Sequence, residues 1–516
     1  MDTRKTDVAI IGAGLSGLSA AYYLAKTDKS IRLTLLEAKD RVGGRTYSIP
    51  MKVSGGQEDN FDLGGEWVGR PQPHLHYMLR QFERETFNPQ INSTGPNENL
   101  PPMSFFTKLD LLLFILKLRY LRNKFQREEE LKNLVEAQES DGITFHKYMK
   151  ANLWTKGAKP FIIAAVKSLF GYMPKEISLL YFLMYINAAG NLGIFLNPAE
   201  YNGQEFRVKG GIYQLSKMLK KYIGKKNVVL NCPVTHIIQS SKEKVMIVTE
   251  KRLQVNCSRV ILAIPPHLSA KIHFSPDLPP TKLTVLKNVP LAFIIKFCIT
   301  YEEAFWSKNS TDKSRYGFQS IMEEAEHGAI GVVYDGTSAK GYPALVGFVS
   351  VNRGTVGEEK NPEDRQVILL NILETYLGQN VRDFLEFQQK DWSTEPYNGG
   401  CFLKYLVPGS TRYFNQELRE PFDRVHFAGS EAATVWCGFM NGAIQSGFRA
   451  AREVLQNLRP NLLTDDIEKE VCRYHSQTPP KCWSKSWIAA GIGIGCFTAI
   501  YMMTQSKHIQ PTLIFI

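Results

Sequence analysis

The N-terminal segment carries the pattern that most restricts the fold of this chain. An apolar run at Val8–Ile11 leads into Gly12, Gly14 and Gly17, and a second apolar run ends in an acid at Glu37. The first glycine permits a tight turn, the second lets the backbone approach a pyrophosphate, and the third lets the next helix pack closely. The N–H groups that begin this helix face the phosphates, and the Glu37 carboxylate can accept hydrogen bonds from ribose hydroxyls. The segment therefore predicts a dinucleotide-binding βαβ unit.

Length, charge and cysteine content narrow the class of protein. A chain of 516 residues has room for roughly two to four domains. The net charge is +12, but no dense tract of Lys and Arg indicates nucleic-acid binding. The excess charge is explained either by an ordinary solvated surface or by attraction to an anionic membrane. The 8 cysteines form no CxxC pair, so the sequence predicts neither a zinc site nor a thioredoxin-like site, and no metal is expected.

A long uncharged segment lies near the end of the sequence. Residues 487–503 carry no charge over 17 positions, with Lys481 and Lys485 before them and Lys507 after them. A helix of that length would span about 25 Å, the short end of the transmembrane range. A buried core helix is the alternative, but the polar, proline-bearing linker before the segment favours a C-terminal tail anchor. The part of the chain before the anchor, with the catalytic region, would then face the cytosol.

A second apolar stretch, residues 105–122, ends in basic side chains. Its uncharged run is too short to cross a bilayer, so a core helix is one interpretation. A helix that lies in the membrane interface is the other.

Segments of different pattern alternate along the chain. Residues 81–205 have a helical pattern, residues 206–285 resemble strands, and glycine-rich turns return from residue 395. This alternation predicts two interleaved, discontinuous domains. The nucleotide-binding domain would comprise residues 1–80, 206–285 and 395–458. The second domain would comprise residues 81–205 and 286–394, and a linker at 459–486 would lead to the anchor at 487–503.

Two further motifs carry a resemblance to a known family. The residues Asp-Leu-Gly-Gly at 62–65 resemble the flavin-containing amine oxidases, and residues 392–401, which end in Gly-Gly-Cys, are similar to the monoamine oxidase branch. In that branch the matching cysteine sulfur is bonded to the 8α-methyl of the flavin, which implies covalent FAD on Cys401. Taken alone, such a cysteine is more often a small buried thiol.

The resemblance covers nearly the whole chain and implies its fold class. That class is α/β, with an FAD-binding, doubly wound domain of the glutathione-reductase type interleaved with an α+β substrate domain, plus a C-terminal transmembrane helix. The residues implied to contact FAD are Gly12, Gly14, Gly17, Glu37, Gly44, Arg45, Val234, Trp392, Cys401, Gly429, Ser430, Glu431 and Met440. Lys296 follows an uncharged run and, judged by itself, could be an exposed edge lysine. The resemblance implies instead that Lys296 holds a water near flavin N5 and assists re-oxidation by oxygen.

The substrate side departs from the family. Monoamine oxidases flank the substrate nitrogen with two tyrosines, where this sequence has Phe402 and Phe439. Phenyl rings can still sandwich an amine, but they are less electron-rich and lack the hydroxyl. We therefore expect slower turnover and an altered substrate preference. By the same resemblance, the substrate cavity would include Trp67, Tyr172, Ile194 and Gln204.

The activity that the resemblance implies is flavin-dependent oxidative deamination. A small-molecule amine and O2 would give an imine, then an aldehyde, and H2O2. The other expected partners are membrane lipid, in the mitochondrial outer membrane, and a second copy of the chain as a homodimer. Two alternatives remain open: a polyamine or amino-acid oxidase of the same superfamily, and a catalytically idle flavoprotein that serves as a membrane-anchored binding module.

Overall fold

The computed structural model describes most of the chain. The described residues are 3–89, 104–125, 135–170, 174–188, 205–240, 244–289, 293–308, 332–350, 358–401 and 417–477. Among them, no helix combines the length and the apolar character needed to cross a bilayer. The predicted anchor at 487–503 lies outside the described residues.

The strands and helices of the described residues alternate along the chain. The strands are β1 Thr3–Lys5, β2 Val8–Ile11, β3 Leu33–Leu36, β4 Ser48–Val53, β5 Gln57–Asp62, β6 Trp67–Val68, β7 Thr86–Phe87, β8 Phe206–Val208, β9 Val228–Val229, β10 Val234–Ser240, β11 Lys244–Thr249, β12 Gln254–Cys257, β13 Arg259–Leu262, β14 His273–Ser275, β15 Ile294–Tyr301, β16 Val332–Asp335, β17 Ala344–Ser350, β18 Phe384–Asp391 and β19 Val425–Phe427. The α-helices are α1 Leu15–Thr27, α2 Pro73–Gln81, α3 Phe105–Lys124, α4 Val135–Asp141, α5 Phe145–Asn152, α6 Ala158–Phe170, α7 Leu179–Ala188, α8 Tyr213–Ile223, α9 Pro266–Ser269, α10 Pro280–Lys287, α11 Phe305–Lys308, α12 Pro362–Leu377, α13 Met440–Leu458 and α14 Asp466–Gln477.

A parallel sheet made by five of the described strands, in the order β19-β13-β2-β3-β9, contains the glycine-turn strand. Strand β2 lies in the middle, and Val8 pairs with Leu33 on one side and with Arg259 on the other. All of β2 is buried, as expected for a parallel strand that is covered on both faces. The carboxyl end of β2 therefore delivers the glycine turn to the edge of the sheet where α/β proteins bind ligands.

Helices α1 and α13 pack tightly against each other on one face of this sheet. A Cβ atom on Gly447 of α13 would lie 2.3 Å from the carbonyl oxygen of Ser16 in α1. The Ser16 and Ser446 hydroxyls are 3.0 Å apart and share a hydrogen bond. Both hydroxyls also accept the Gly429 N–H, at 2.9 and 3.1 Å. The helix pair thus fixes the turn that follows β19.

A mixed sheet covers the other face of the parallel sheet. Five of the described strands form it in the order β1-β12-β11-β10-β14. Its buried residues Ile237, Ile247 and Val255 share a core with Ala9 and Ile11 of β2. The parallel sheet is consequently buried between helices and a second sheet.

An antiparallel sheet forms the substrate-side region. Four of the described strands lie in the order β16-β17-β15-β18, and in the central strand β15 every residue after Ile294 is buried. Leu369 and Leu373 of α12 belong to the core that covers this sheet. These strands fall within the predicted second domain, and the strands of the parallel sheet fall within the predicted nucleotide-binding domain. The domain bounds themselves remain a prediction.

Helices α3 to α7 form a separate helical region with its own core. In α3, Phe114 and Leu118 are fully buried in that core. On the opposite side of the same helix, Phe106 and Tyr120 are 62% and 65% exposed. The inner face of α3 is therefore a core face, and its apolar outer face leaves the membrane-interface interpretation open.

The close contact at Gly447 predicts a stability cost for any side chain there. We expect Gly447→Ala to lower the free energy of unfolding by about 1–3 kcal/mol, because the added methyl group would push α13 away from α1. Urea unfolding followed by far-UV circular dichroism measures this change.

Gly142→Ala is the matched control for that variant. A Cβ atom on Gly142 would meet the Gln138 and Glu139 carbonyl oxygens at 3.4 and 3.5 Å, which are ordinary contact distances. We expect the control to change the free energy of unfolding by less than about 0.5 kcal/mol. Equal losses in the two variants would contradict a tight contact between α1 and α13.

Candidate active site

The glycine turn after β2 leaves no room for side chains at two of its three positions. Gly12 has φ +101°, and a Cβ atom there would lie 2.6 Å from the Ala263 carbonyl oxygen. A Cβ atom on Gly17 would lie 2.0 Å from the Gly12 carbonyl oxygen. Around a Cβ atom on Gly14, by contrast, nothing lies within 4 Å. The open position lies at the N-cap of α1, so the turn fits a phosphate that approaches the helix N-terminus.

The Glu37 carboxylate fixes this turn from the end of the neighbouring strand β3. Its Oε2 accepts the Ala13 N–H at 2.6 Å, and its Oε1 accepts the Lys39 N–H at 3.0 Å. Burial raises the pKa of Glu37, and the two N–H donors oppose that rise. An open cavity of about 490 Å³ begins beside it, lined by residues that include Lys39, Arg41, Asn231, Pro233, Glu395 and Tyr397. Val234, the first residue of β10, follows this lining, so the predicted adenosine-side residues lie near one cavity.

Arg45 connects three of the predicted cofactor segments. Its guanidinium donates to the Glu431 carboxylate at 2.5 Å, to the Ser430 hydroxyl at 2.9 Å and to the Cys401 carbonyl oxygen at 2.8 Å. Burial alone would raise the pKa of Glu431, but the Arg45 charge holds it below the usual value. The resemblance implies a contact of Arg45 with FAD, and among the described residues its guanidinium is held by these protein groups. Gly44, which precedes it, has φ +55° and lies against Gly14.

Cys401 ends a loop of two glycines in the left-handed region of φ. Gly399 has φ +65° and Gly400 has φ +146°. A Cβ atom on Gly399 would lie 2.7 Å from Nε2 of His267, so the imidazole packs directly on the loop. Burial raises the pKa of the Cys401 thiol to about 11, although Arg45 opposes that rise. The thiol is therefore protonated near neutral pH in the structure.

Lys296 is buried at the centre of the antiparallel sheet. Its side chain is 1% exposed and lies opposite a Glu66 side chain that is 3% exposed. The ammonium donates to the Glu66 carboxylate at 2.8 Å and to the Gly64 carbonyl oxygen at 3.0 Å. It also lies 5.3 Å from the ring centroid of Phe348. An exposed edge lysine is therefore excluded, and the role of Lys296 near the flavin stays a prediction.

Two other predicted residues contact the segment 62–67, which itself contains the predicted Trp67. The Trp392 indole is buried and donates to the Leu63 carbonyl oxygen at 2.8 Å. The Met440 sulfur would be 3.4 Å from a Cβ atom on Gly65. The Trp67 ring packs on Tyr334, with centroids 5.3 Å apart. Residues from three distant parts of the sequence, at 334, 392 and 440, thus contact this segment, as Lys296 also does.

Phe439 lies at the N-cap of α13, in an aromatic group. Its ring centroid is 5.1 Å from that of Trp436 and 6.0 Å from that of Tyr185. Burial raises the pKa of the Tyr185 hydroxyl far above its usual range, so this group is uncharged at any ordinary pH. The predicted partner ring, Phe402, lies outside the described residues, as do Tyr172, Ile194 and Gln204.

The described geometry can now be compared with known proteins. Residues 15–455 match the family model for flavin containing amine oxidoreductase. The chain belongs to this family.

Curated relatives and solved structures give a more specific likeness. The chain is 31% identical to a probable flavin-containing monoamine oxidase A of Dictyostelium discoideum over 463 residues, which are 88% of this chain and 98% of that protein. It is 33% identical over 467 residues to the flavin-containing amine oxidase A of Sus scrofa, covering 88% and 85% of the two chains. A structure of putrescine oxidase bound to putrescine matches with a TM-score of 0.74 and 25% identity, covering 88% and 99%.

These findings confirm the predicted likeness to monoamine oxidases and the predicted enzyme class. The chain is an FAD-dependent amine oxidase with a mixed α/β fold. The roles of individual residues stay predictions. Within the described ranges, no group of three or more His, Cys, Asp or Glu residues could hold a metal ion.

Sequence reasoning missed the polar partners that surround the predicted site. Glu66 and Tyr334 were not selected, and neither was His267, although each contacts a predicted residue or its loop. The signal that could have found Glu66 is its place directly after the glycine pair at 64–65, within the motif that carries the resemblance. The two partners of Glu66, Lys296 and Tyr334, are 230 and 268 positions away in the sequence. A local pattern cannot indicate contacts at such a separation.

Asp62 gives the site a pH-dependent stability. Burial, and then the nearby Glu66 carboxylate, raise the pKa of Asp62 to about 7. An unfolded Asp has a pKa of about 3.9, so the folded protein holds this proton more tightly. The contribution of Asp62 to the free energy of unfolding therefore has its full value below about pH 4, and it is lost as the pH rises towards about 7. We expect the free energy of unfolding of Asp62→Asn to fall less steeply than that of the wild type across this range, by up to about 1.4 kcal/mol per pH unit.

The asparagine side chain suits this test because its oxygen can still accept the hydrogens of the Ser48 hydroxyl and the Ile212 N–H, which Asp62 accepts. Urea unfolding of both proteins at a series of pH values measures the difference. Parallel stability curves for the two proteins would show that Asp62 titrates like an unfolded carboxyl group.

Proposed function

We propose that this amine oxidase acts on monoamines and binds FAD covalently through Cys401. The convergence of Lys296, Trp392 and Met440 on residues 62–67 carries the proposal. Arg45 supports it as well, because its hydrogen bond to Cys401 ties the loop of that cysteine to the glycine turn region. The similarity to curated monoamine oxidases supports the choice of monoamines.

The proposed cofactor contacts divide by their place in the site. Gly12, Gly14, Gly17, Gly44 and Arg45 would bind the pyrophosphate side, with Gly429, Ser430 and Glu431 completing that side. Glu37 and Val234 would contact the adenosine side, and Trp392 and Met440 would flank the ring that Cys401 carries. The open space at Gly14 is the feature that fits the phosphates best.

Bound FAD supplies a two-electron acceptor that passes the electrons of the amine to O2. The chain's own residues bind the amine and keep water away from it. Phe439, beside Trp436 and Tyr185, forms an apolar wall. Such a wall favours the neutral amine, because removing an ammonium ion from water is costly without a partner charge. Overall, one amine, one O2 and one water give an aldehyde, ammonia and H2O2.

Membrane attachment is a further part of the proposal. Residues 487–503 would anchor the enzyme in the mitochondrial outer membrane, with the catalytic region in the cytosol. The short uncharged run and the basic residues on both sides of it support this. A homodimer is proposed on the family resemblance alone.

A diamine oxidase is the second candidate function. The likeness to putrescine oxidase, whose solved structure holds putrescine, favours it. An amino-acid oxidase has no such support, because Arg207, which packs on Trp67, is directed to the backbone carbonyl oxygens of Gly336 and Thr337. A catalytically idle flavoprotein is disfavoured by the charge retained at Lys296.

Acid precipitation of the purified protein tests the covalent bond. We expect the yellow colour to stay with the wild-type pellet and to move into the supernatant for Cys401→Ala. Cys437→Ala is the matched control, because that thiol also lies close to the site, with its sulfur 3.4 Å from the Glu431 carbonyl oxygen. A wild-type pellet that loses its colour would contradict the proposal.

If the two phenylalanines slow the reaction, replacing them with tyrosines should raise the activity. We expect Phe402→Tyr combined with Phe439→Tyr to raise kcat/KM for a primary monoamine about two- to fivefold, since more electron-rich rings strengthen the contact by about 0.5–1 kcal/mol in all. Peroxide release with benzylamine, tyramine, putrescine and spermine measures this and separates the two candidate functions. The prediction fails if no primary amine gains, and higher kcat/KM for putrescine than for both monoamines would favour the diamine oxidase.

A further inference from the structure

A fully buried ion pair links two parts of the fold at Lys296. The ammonium lies on β15, and its partner Glu66 follows the glycine pair after β5, 230 positions earlier in the chain. Both side chains are almost completely excluded from solvent, with nitrogen and oxygen 2.8 Å apart. Removing one member of such a pair leaves an uncompensated buried charge, so each member needs the other.

The second oxygen of Glu66 is also occupied. The Tyr334 hydroxyl donates a hydrogen bond to Oε1, while Oε2 accepts from Lys296. Tyr334 is held in turn by the Trp67 ring. With one donor on each oxygen, the carboxylate has one orientation. An ammonium has three hydrogens, and within the described residues Lys296 gives one to Glu66 and one to Gly64, with the Phe348 ring beside it.

The surroundings of the pair are polar but enclosed. A cavity of about 30 Å³ lies beside it, large enough for one water, and its lining includes Asp62 of β5, Glu66 and Arg207 of β8. Among the described residues, the Cys298 and Cys401 thiols also interact with Lys296, and burial raises the pKa of both above the usual value. Glu66 is therefore the carboxylate that directly balances the Lys296 charge.

We propose that Glu66 is a positioning residue for the reduction of O2 and that it acts through Lys296. This rests on the proposed function, in which Lys296 assists the reaction with oxygen. O2 takes up two electrons, which come from the amine by way of the bound cofactor, and two protons to give H2O2. A positive charge stabilises the negative charge that develops on O2 best when it is held in place beforehand. Glu66 holds the Lys296 ammonium by their 2.8 Å contact, and Tyr334 orients Glu66.

Steady-state kinetics of the holoenzyme, with the amine and O2 varied separately, test the proposal. We expect Glu66→Gln, which keeps the shape but removes the charge, to lower kcat/KM for O2 about tenfold or more. The value of kcat/KM for the amine should change less than about twofold, because Glu66 is directed to Lys296 and Tyr334. Flavin content, read from the visible spectrum, shows that the variant is folded and loaded.

A double-mutant cycle shows whether Glu66 acts through the lysine. Lys296→Met should lower kcat/KM for O2 more than Glu66→Gln does, and Glu66→Gln should have no further effect in the Lys296→Met protein. Tyr334→Phe should lower the same parameter less, and it is the second variant if Glu66→Gln does not fold. Glu453→Gln is the matched control: Glu453 pairs with Arg449 and His426 away from this pair, and neither parameter should change.

Each other result overturns a definite part of the proposal. If Glu66→Gln lowers kcat/KM for O2 as much in the Lys296→Met protein as in the wild type, Glu66 does not act through the lysine. If Lys296→Met does not change kcat/KM for O2, the proposed role of the lysine is wrong, and the proposed role of Glu66 is wrong with it. If only Lys296→Met has an effect, the lysine keeps its role and the inference about Glu66 and Tyr334 is wrong.

Discussion

The hydrogen bonds of Arg45 are the contacts on which the arrangement of the cofactor site depends. Its guanidinium reaches the Cys401 carbonyl oxygen and the Glu431 carboxylate, which lie 356 and 386 positions further along the chain. The Glu431 side chain is 1% exposed, and a buried carboxylate is tolerated only with a well-placed partner. The N-terminal glycine region, the loop that ends at Cys401 and the late turn at Ser430 are therefore held in one arrangement.

A second buried ion pair connects the antiparallel sheet with the segment that follows the β4–β5 hairpin. Lys296 belongs to the antiparallel sheet, and Glu66 belongs to the segment that follows the β4–β5 hairpin. Their ion pair, the Trp392 indole on Leu63 and the Met440 side chain on Gly65 close around one short segment. Since each contact comes from a different part of the chain, the position of this segment depends on contacts that are distant in sequence.

How much of the fold and of the candidate site could be predicted depends on how far apart in the sequence the interacting residues lie. The turn at Gly12, Gly14 and Gly17 is local, because its conformation depends on neighbours within one βαβ unit, so the sequence predicts it well. The burial of Lys296 is suggested by the apolar strand around it. Its partner Glu66 and the partner of Arg45 depend on tertiary contacts across hundreds of positions, and no spacing rule encodes them. The sequence also does not show which apolar residues of α3 are exposed, because the outer face of this helix is as apolar as a core face.

The charged contacts and the aromatic wall place different demands on the site. Phe439, one of the two positions where the resemblance implies a tyrosine in monoamine oxidases, packs on Trp436 and Tyr185 and belongs to none of the charged contacts described above. On the proposed assignment, a change in this wall alters which amine is held and how fast it reacts. The Lys296–Glu66 pair, which we propose serves O2, lies outside this wall. On that proposal separate residues govern the two halves of the reaction, so substrate preference could diverge while the oxidase chemistry is retained.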